Sequence, residues 1–117
     1  MIESAVMDRP KSFGHFTVPV YSIGKLTIDL NRNVISFDSV IKKLSRLERR
    51  LLSYFLENTG RLLTNREILS TVWGPEYRQD DQVLRMTISR LRDKLSIYPA
   101  AAESIQTHYG LGYIFDP

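Results

Sequence analysis

Cysteine is absent from this chain of 117 residues, and its absence excludes several kinds of chemistry. Disulfides, thiolate metal sites and cysteine nucleophiles all need a thiol, so none of them is available. The two histidines, His15 and His108, lie far apart in the sequence, and neither has a second histidine nearby to complete a metal site. The serines lack a nucleophile-elbow motif. We therefore expect no metal, no cofactor, no small-molecule ligand and no enzymatic activity.

Long apolar runs are also absent, so no segment of this sequence is expected to cross a bilayer. The N-terminus carries an early acid, Glu3, and lacks the apolar stretch of a secretory signal. With 43% hydrophobic and 25% charged residues, the composition is that of an ordinary globular domain. These features predict a cytoplasmic protein that folds without disulfide or metal staples.

The charge balance is basic, with a net charge of +3 and an isoelectric point near 9.3. Such a balance favours polyanionic partners, because a cationic surface releases the counterions of a nucleic acid when it binds. Many soluble proteins carry a similar charge. The placement of the cations therefore matters more than their number.

Residues 1–17 mix charges with Pro10 and Gly14 and show no sustained period, so we interpret them as a flexible tail before a domain at 18–117. Short runs rich in β-branched and aromatic residues follow, separated by turn residues. The turns are too short for parallel crossovers, which predicts an antiparallel sheet. Its four strands are expected at residues 18–23, 25–30, 33–37 and 40–44.

Two capping boxes follow, and each predicts the start of a helix. Ser45 is followed three residues later by Glu48, and Thr64 is followed by Glu67 at the same spacing. In this motif the hydroxyl accepts from a free backbone N–H, and the carboxylate accepts from the N-cap N–H. A glycine near residue 60 should end the first helix, and a glycine–proline pair should end the second near residue 74.

A third helix is predicted at about residues 81–96, capped by Asp80 or Asp81. Its apolar residues share one face and should pack inward: Leu84, Ile88, Leu91 and Leu95. At about 100° per residue, the opposite face carries Gln82, Met86, Ser89 and Asp93. Arg85 and Arg92 flank that face on one side, with Arg90 and Lys94 on the other.

This arrangement suits a helix in the major groove of DNA, where flanking cations meet phosphates and central side chains meet base edges. Gln82 and Ser89 can hydrogen-bond to bases, and Met86 can contact a thymine methyl group. The charges alone also fit an ordinary solvated helix face, and Asp93 favours that alternative. The elements before and after this helix are needed to distinguish a DNA-reading helix from a solvated helix face.

After a predicted loop at 99–104, residues 105–108 and 113–115 read as two strands around a turn with glycines at 110 and 112. The two glycines should supply positive φ for a tight hairpin. The glycine pattern does not match a phosphate-binding loop, because no Gly-Lys-Ser/Thr follows. The hairpin is then either structural or a wing that touches the DNA backbone or minor groove through Thr107, His108, Tyr109 and Tyr113.

Several landmarks recur in one order along the chain. They are Leu44-Ser45-x-x-Glu48-x-x-Leu51-Leu52, Asn58-x-Gly60-x-Leu62-Leu63-Thr64-x-Arg66-Glu67-x-Leu69, Val72-Trp73-Gly74, Ile88-Ser89-Arg90-Leu91-Arg92-x-Lys94-Leu95 and Ile105-Gln106-Thr107-x-x-Gly110-x-Gly112-Tyr113-x-Phe115. In this order they resemble the OmpR/PhoB-type winged helix-turn-helix of bacterial transcription regulators. The resemblance covers residues 18–115.

The resemblance implies an α+β fold, a winged helix-turn-helix with an N-terminal four-stranded antiparallel sheet, three helices and a C-terminal β-hairpin wing. It implies contact with double-stranded DNA by Trp73, Gln82, Val83, Arg85, Met86, Ser89, Arg90, Arg92, Thr107, Tyr109 and Tyr113, and Lys94 joins this set from its flank position. The exposed loop resembles a segment that meets RNA polymerase in activators of this family: Pro75, Glu76, Tyr77 and Arg78.

Some positions depart from the family pattern. Gln82 and Tyr109 stand where many members have arginine, and Arg85 replaces a common acid, so the target sequence cannot be borrowed. The 17–20 residues before the domain are too few for a receiver domain, so we expect a stand-alone regulator or an excised DNA-binding domain. The main hypothesis is sequence-specific DNA binding, with two copies on adjacent half-sites. The alternatives are a protein-interaction module for RNA polymerase or a partner regulator, and non-specific nucleoid-like binding.

Overall fold

The computed structural model describes residues 20–117 and, before them, the backbone of three short strands within residues 6–18. The fold is α+β. In chain order its elements are β1 (Val6–Met7), β2 (Lys11–Phe13), β3 (Phe16–Val18), β4 (Val20–Ile23), β5 (Leu26–Asp29), β6 (Val34–Phe37), β7 (Val40–Lys43), α1 (Arg46–Glu57), β8 (Leu62–Thr64), α2 (Asn65–Val72), α3 (Asp81–Leu95), α4 (Pro99–Glu103), β9 (Ile105–His108) and β10 (Gly112–Phe115).

Strands β4 to β7 form the predicted antiparallel sheet, and β1 adds a fifth strand beside β4. The register pairs Tyr21 with Ile28 and Ile28 with Ile35. Alternate residues along β5 are buried, as the alternation of apolar and polar residues predicts for a sheet with one covered face. The sheet lies before the helices in the chain and covers one side of their core through residues such as Ile28 and Ile35.

The first 17 residues include strands where we expected a tail without regular structure. Strand β1 pairs with β4, and β2 pairs with β3 through Lys11↔Val18 and Phe13↔Phe16. The remaining residues of the predicted tail lie outside the described ones. The flexibility of this segment stays a prediction.

Both capping boxes form as the sequence predicts. At the start of α1, the Ser45 hydroxyl accepts from Glu48 N at 3.2 Å, and the Glu48 carboxylate accepts from Ser45 N at 2.8 Å. At the start of α2, Thr64 and Glu67 exchange the corresponding bonds at 3.1 and 3.2 Å. Each helix thus begins where local hydrogen bonds satisfy its free N–H groups.

Helix α3 begins after Asp80, whose carboxylate accepts from Val83 N at 3.3 Å, so Asp80 rather than Asp81 is the cap. The predicted inward stripe is fully in the core, with exposures of 0%, 1%, 0% and 0% for Leu84, Ile88, Leu91 and Leu95. This stripe joins α3 to α1 and α2 in one hydrophobic cluster. The opposite side of the helix is therefore the side left to solvent.

Three further elements were missed from the sequence. Strand β8 pairs with β10, so the hairpin belongs to a three-stranded sheet of order β8-β10-β9. The prediction of a loop at 99–104 is wrong, because Pro99 opens helix α4 at its first position and Ala101 is buried. The loop at 75–80 contains a short 3₁₀ turn at Pro75–Tyr77.

The two glycines of the hairpin act differently from the prediction. Gly110 has φ +79°, the left-handed conformation that favours glycine, but Gly112 does not have positive φ. A Cβ at Gly112 would overlap the backbone carbonyl of Leu63 on β8. Gly112 is therefore required by close packing between strands. Among the described residues, no helix combines the length and the apolarity needed to span a membrane.

Candidate nucleic-acid interface

The solvent side of α3 carries the predicted base-reading residues. Exposed side chains follow one another along it from the first turn to the third: Gln82, Arg85, Met86, Ser89 and Arg90. Met86 keeps 43% of its surface exposed, which is unusual for a methionine in a folded domain. Within residues 20–117, no side chain forms an ion pair with Arg85 or Arg90. Both guanidinium groups are available to an anionic ligand.

Val83 and Trp73, which we predicted to face DNA, pack partly against the hydrophobic core. The backbone oxygen of Val83 also accepts from the buried Thr87 hydroxyl at 2.9 Å. Each of the two keeps part of its surface accessible. They lie at the border between the core and the exposed side of the helix, so any contact with a ligand is peripheral.

Lys94 is placed differently from Arg85 and Arg90. Its ammonium group donates to the Glu48 carboxylate at 2.6 Å and to the backbone oxygen of Lys43 at 2.8 Å. The Glu48 side chain is only 5% exposed and that of Lys94 is 30% exposed. The sequence identified Glu48 only as a capping residue, and its pairing with Lys94 was missed. The pair joins the C-terminal part of α3 to the start of α1.

Burial of Glu48 tends to raise the pKa of its carboxyl group, but hydrogen bonds from Lys94 and from the Ser45 backbone outweigh this effect and lower the pKa. The carboxylate is therefore ionised at neutral pH and serves the helix cap and the Lys94 ammonium together. A buried carboxylate in this position needs its cation. Lys94 is therefore needed for the stability of the fold, and it does not belong with the exposed cations Arg85 and Arg90.

Arg92 joins α3 to the base of the hairpin. Its guanidinium donates to the backbone oxygen of Ile105 at 2.6 Å and to the Thr107 hydroxyl at 2.8 Å. It also lies 5.9 Å from the centre of the Tyr113 ring. Three residues that we predicted as separate DNA contacts, Arg92, Thr107 and Tyr113, are thus brought together in one cluster. Their mutual contacts fix the orientation of the hairpin relative to the helix.

Tyr113 is buried, with 6% of its surface exposed. Burial raises the pKa of its hydroxyl group, and the charges of Arg92 and Arg85 act in the opposite direction. The hydroxyl therefore stays protonated at neutral pH. Since the Arg92 guanidinium of α3 lies 5.9 Å from the centre of this ring, α3 and the base of the hairpin lie close together.

The tip of the hairpin is exposed and apolar. Tyr109 has 91% of its surface exposed and Leu111 has 59%. We predicted Tyr109 as a contact residue, but Leu111 was missed, although its place between two glycines was visible in the sequence. Residues 105–115 contain no lysine or arginine. This tip therefore differs in chemistry from the cationic side of α3.

In the loop after α2, all four residues predicted to contact a polymerase are exposed: Pro75, Glu76, Tyr77 and Arg78. Beside it, an open groove lies between the start of α1 and the end of α2. Arg46, Arg50, Trp73 and Tyr77 contribute to its lining. This surface is separate from the exposed side chains of α3 that carry the free cations.

Helix α3 and the hairpin are joined through Arg92, with exposed polar and cationic side chains on the helix and exposed Tyr109 and Leu111 at the tip. An α-helix about 10–12 Å across fits the major groove of B-DNA, which is about 12 Å wide. Among the described residues, no cluster of three or more potential metal-ligating side chains occurs. The geometry suits a grooved polyanion.

The sequence is similar to known transcription regulators. A family profile described as "Transcriptional regulatory protein, C terminal" matches residues 40–115. The KDP operon transcriptional regulatory protein KdpE of Escherichia coli strain K12 is 36% identical over 97 residues, which are 83% of this chain and 43% of that protein. The probable transcriptional regulator ycf27 of Galdieria sulphuraria is 39% identical over 98 residues, 82% of this chain and 38% of that protein. The chain thus spans less than half the length of these curated relatives.

Solved structures support the same relationship, and the match covers nearly the whole of each solved domain. The DNA-binding domain of CpxR from E. coli has a TM-score of 0.69 at 26% identity, covering 84% of this chain and 96% of that one. The Klebsiella pneumoniae RstA DNA-binding domain, solved in complex with the RstA box, has a TM-score of 0.69 at 28% identity, covering 84% and 97%. These likenesses confirm the predicted winged-helix fold. The chain belongs to the family of C-terminal domains of transcriptional regulatory proteins, of the OmpR/PhoB type.

Proposed function

We propose that this protein binds double-stranded DNA at specific sequences and thereby regulates transcription, with α3 in the major groove. The observation that carries this proposal is the solvent side of α3, where Arg85 and Arg90 have no side-chain partner within residues 20–117 and flank exposed polar side chains. Unpaired guanidinium groups at this spacing suit phosphates or guanine edges. The RstA DNA-binding domain, which was solved in complex with the RstA box, supports DNA as the ligand.

The exposed residues of α3 divide into two roles in this proposal. Gln82 and Ser89 hydrogen-bond to base edges, and Met86 packs against a thymine methyl group. Arg85 and Arg90 contact phosphates or swing inward to a guanine. Arg92 and Lys94 act indirectly, since their hydrogen bonds hold α3 against the hairpin and α1.

The proposal includes two further partners, RNA polymerase and a second copy of this chain. The exposed loop around Tyr77, with the neighbouring groove lined by Arg46 and Arg50, is a candidate contact for RNA polymerase. A second copy on an adjacent half-site would find apolar surface on edge strand β7, where Val40 is 43% and Ile41 66% exposed. This function would be exercised in the cytoplasm, at the chromosome.

Selection from a library of random duplexes at moderate salt tests the proposal directly. We expect an enriched sequence motif, and a selected duplex that Arg90→Ala binds about tenfold more weakly, with a salt slope lower by about 1. Lys25→Ala is the matched control, because Lys25 is an exposed cation in the β4–β5 turn. If no motif is enriched, or if both variants bind the selected duplex as the wild type does, the proposal is wrong.

One observation favours a second candidate function, a protein-interaction module. The groove between α1 and α2 exposes Trp73 and Tyr77 beside two arginines, which suits a peptide with acidic and apolar residues. For this function, the selection would return no motif, and Tyr77→Ala would lose binding to RNA polymerase or a partner regulator. Affinity for duplexes without any motif would instead indicate non-specific, nucleoid-like binding.

A further inference from the structure

We propose that Met86 is an oxidation site through which hydrogen peroxide, or a comparable two-electron oxidant, weakens the binding of DNA. This inference rests on the proposed function and adds to it a reversible modification of the exposed side of α3. The product is methionine sulfoxide, which replaces a flexible apolar thioether by a polar group. Three features of Met86 point to this role: the scarcity of sulfur in the chain, the exposure of the side chain and its neighbours.

Sulfur is scarce in this chain. It has no cysteine and three methionines, Met1, Met7 and Met86. Met86 therefore carries the one sulfur atom within residues 20–117, and it lies on the exposed side of α3. No thiol, which as a thiolate reacts with peroxide, is present to compete with it. A peroxide that meets this part of the chain has a single sulfur target, on the surface that we propose for DNA.

The exposure of Met86 makes its sulfur accessible to a small oxidant. The residue keeps 43% of its surface exposed and is not part of the hydrophobic cluster that joins α3 to α1 and α2. Methionine more often fills irregular gaps in a core, where oxidation disrupts the packing. Here no packed sulfur has to become hydrated, so we expect the oxidised protein to keep its fold. The consequence of oxidation is then confined to binding.

The neighbours of Met86 on the surface of α3 are polar and cationic. Gln82 lies four residues before it, Ser89 three residues after it and Arg90 four residues after it, and these spacings make them neighbours on a helix. Helical side chains lean toward the N-terminus of their helix, so Arg90 leans toward Met86. Within residues 20–117, no side chain forms an ion pair with Arg90. A sulfoxide oxygen at Met86 thus has an available donor beside it.

The oxidation step needs only the peroxide. A lone pair of the Met86 sulfur attacks one oxygen of hydrogen peroxide, the S–O bond forms as the O–O bond breaks, and the other oxygen leaves with both protons as water. Sulfur loses two electrons and the peroxide gains them. In the reverse reaction, two thiols become a disulfide and the sulfoxide oxygen leaves as water. Methionine sulfoxide reductases catalyse this reduction, with one enzyme for each sulfoxide epimer.

The two forms of Met86 make different contacts in a DNA groove. The thioether suits an apolar contact such as a thymine methyl group. A sulfoxide buried at the same place loses its hydrogen bonds to water and gains none from a methyl group. If Arg90 turns to satisfy the sulfoxide oxygen instead, its guanidinium is withdrawn from phosphates and guanine edges. Both arrangements weaken binding, and we expect a loss of about tenfold.

The experiment measures binding to the duplex selected from the random library, before and after the free protein is treated with hydrogen peroxide. Mass spectrometry of the peptide that contains Met86 gives the extent of its oxidation. The oxidised wild type should bind about tenfold more weakly, and treatment with both classes of methionine sulfoxide reductase and a dithiol should restore its affinity. Circular dichroism and thermal unfolding should match those of the untreated protein, because the oxidised side chain is exposed.

Met86→Leu is the matched control. Leucine keeps an apolar side chain of similar volume but has no sulfur, so this variant should bind nearly as the wild type does, before and after treatment. Because Met1 and Met7 remain in the variant, it also controls for oxidation elsewhere in the chain. The duplex provides a second measurement, since DNA that covers Met86 should slow its oxidation. A duplex without the motif, at a concentration too low for it to bind, should not.

The outcomes separate this inference from the function on which it rests. If oxidised wild type binds the selected duplex as tightly as before while Arg90→Ala is weakened, only this inference is overturned. An equal loss in treated Met86→Leu, a loss that accompanies unfolding, or oxidation of Met86 at the same rate under the bound duplex also overturns it. Resistance of Met86 in the free protein, while a methionine reference peptide in the same solution is oxidised, overturns it without reference to DNA. If the wild type enriches no motif, the proposed function fails and this inference fails with it.

Discussion

The middle of helix α3 and its C-terminal end carry the same kind of charge but use it differently. In the middle, Arg85 and Arg90 are exposed and unpaired within the described part of the chain. At the end, Arg92 bonds to the hairpin and Lys94 bonds to Glu48. We call these the free region and the anchored region. The number of cations on a helix therefore overstates how many are available to a ligand.

The difference has an energetic basis. An exposed cation remains hydrated and contributes little to the free energy of unfolding, so it is available for binding a ligand. A cation beside a buried carboxylate is needed by the fold, since removing it leaves an unpaired charge away from water. The anchored region thus positions the helix, and the free region provides the surface for a ligand.

The largest expected effect is on the free energy of unfolding, at Gly112 of the hairpin. Like the anchored region, this residue serves the fold rather than a ligand. Gly112→Ala should lower the free energy of unfolding by about 3 kcal/mol, because the added methyl group overlaps the backbone of Leu63. Gly110→Ala is the control, since nothing lies near a Cβ there and only its positive φ opposes the change. We expect a loss of about 1 kcal/mol for the control. Urea denaturation of both variants measures the difference, and equal losses would contradict the packing role of Gly112.

The next effect compares the two regions directly. Lys94→Met should lower the free energy of unfolding by about 2 kcal/mol, less than a fully buried pair would lose, because Lys94 is 30% exposed. Arg90→Met removes the same charge from the free region and should change stability by less than about 0.5 kcal/mol. Binding to a selected duplex should show the reverse order, with the salt slope lowered only by Arg90→Met. If Lys94→Met lowers the slope and keeps its stability, the division between the regions is wrong.

The smallest expected effect is on pH dependence. Burial raises the pKa of the Glu48 carboxyl group, but hydrogen bonds from Lys94 and Ser45 outweigh it and hold the folded pKa below its ordinary value of 4.5. Its ionised form therefore contributes stability that is fully present above pH 4.5 and is lost as pH falls through the folded pKa. The difference in the free energy of unfolding between wild type and Glu48→Gln should therefore decrease as pH falls from 4.5 through the folded pKa.

Glu67 provides the comparison for this measurement. Its pKa is also lowered, chiefly by the hydrogen bond from the Thr64 backbone, but its side chain is 40% exposed. Glu67→Gln should show a weaker change over the same pH interval, because solvent screens the group. Acid titrations of stability for both variants test this, and a pH-independent difference for Glu48→Gln would contradict the pairing with Lys94.

Several features that depend on neighbours in the sequence were predicted correctly. The capping residues Ser45 and Thr64 bond to groups three residues away, so their motif is complete within a short segment. The inward stripe of α3 follows from helical periodicity alone. For the same reason, the positions of exposed Gln82 and Arg90 were predictable once the helix was recognised.

Features that depend on distant partners were missed. Lys94 was assigned to DNA because its partner, Glu48, is 46 residues away and already had a role as a cap. Strand β8 was missed because its residues lead into the capping box at Thr64, which favours a helix start. Helix α4 was missed for a local reason, since residues 99–104 were interpreted as a loop although Pro99 suits the first position of a helix.

The pairing of β8 with β10 also bears on the order of folding. Leu63 and Tyr113 are paired, yet they lie about 50 residues apart in the chain, with α2 and α3 between them. Closing so long a loop costs entropy before any strand contact compensates for it. We therefore expect this sheet to form late, after the local helices. Helix α3, which Arg92 joins to β9, should therefore acquire its final orientation only when β10 has paired with β8 and β9.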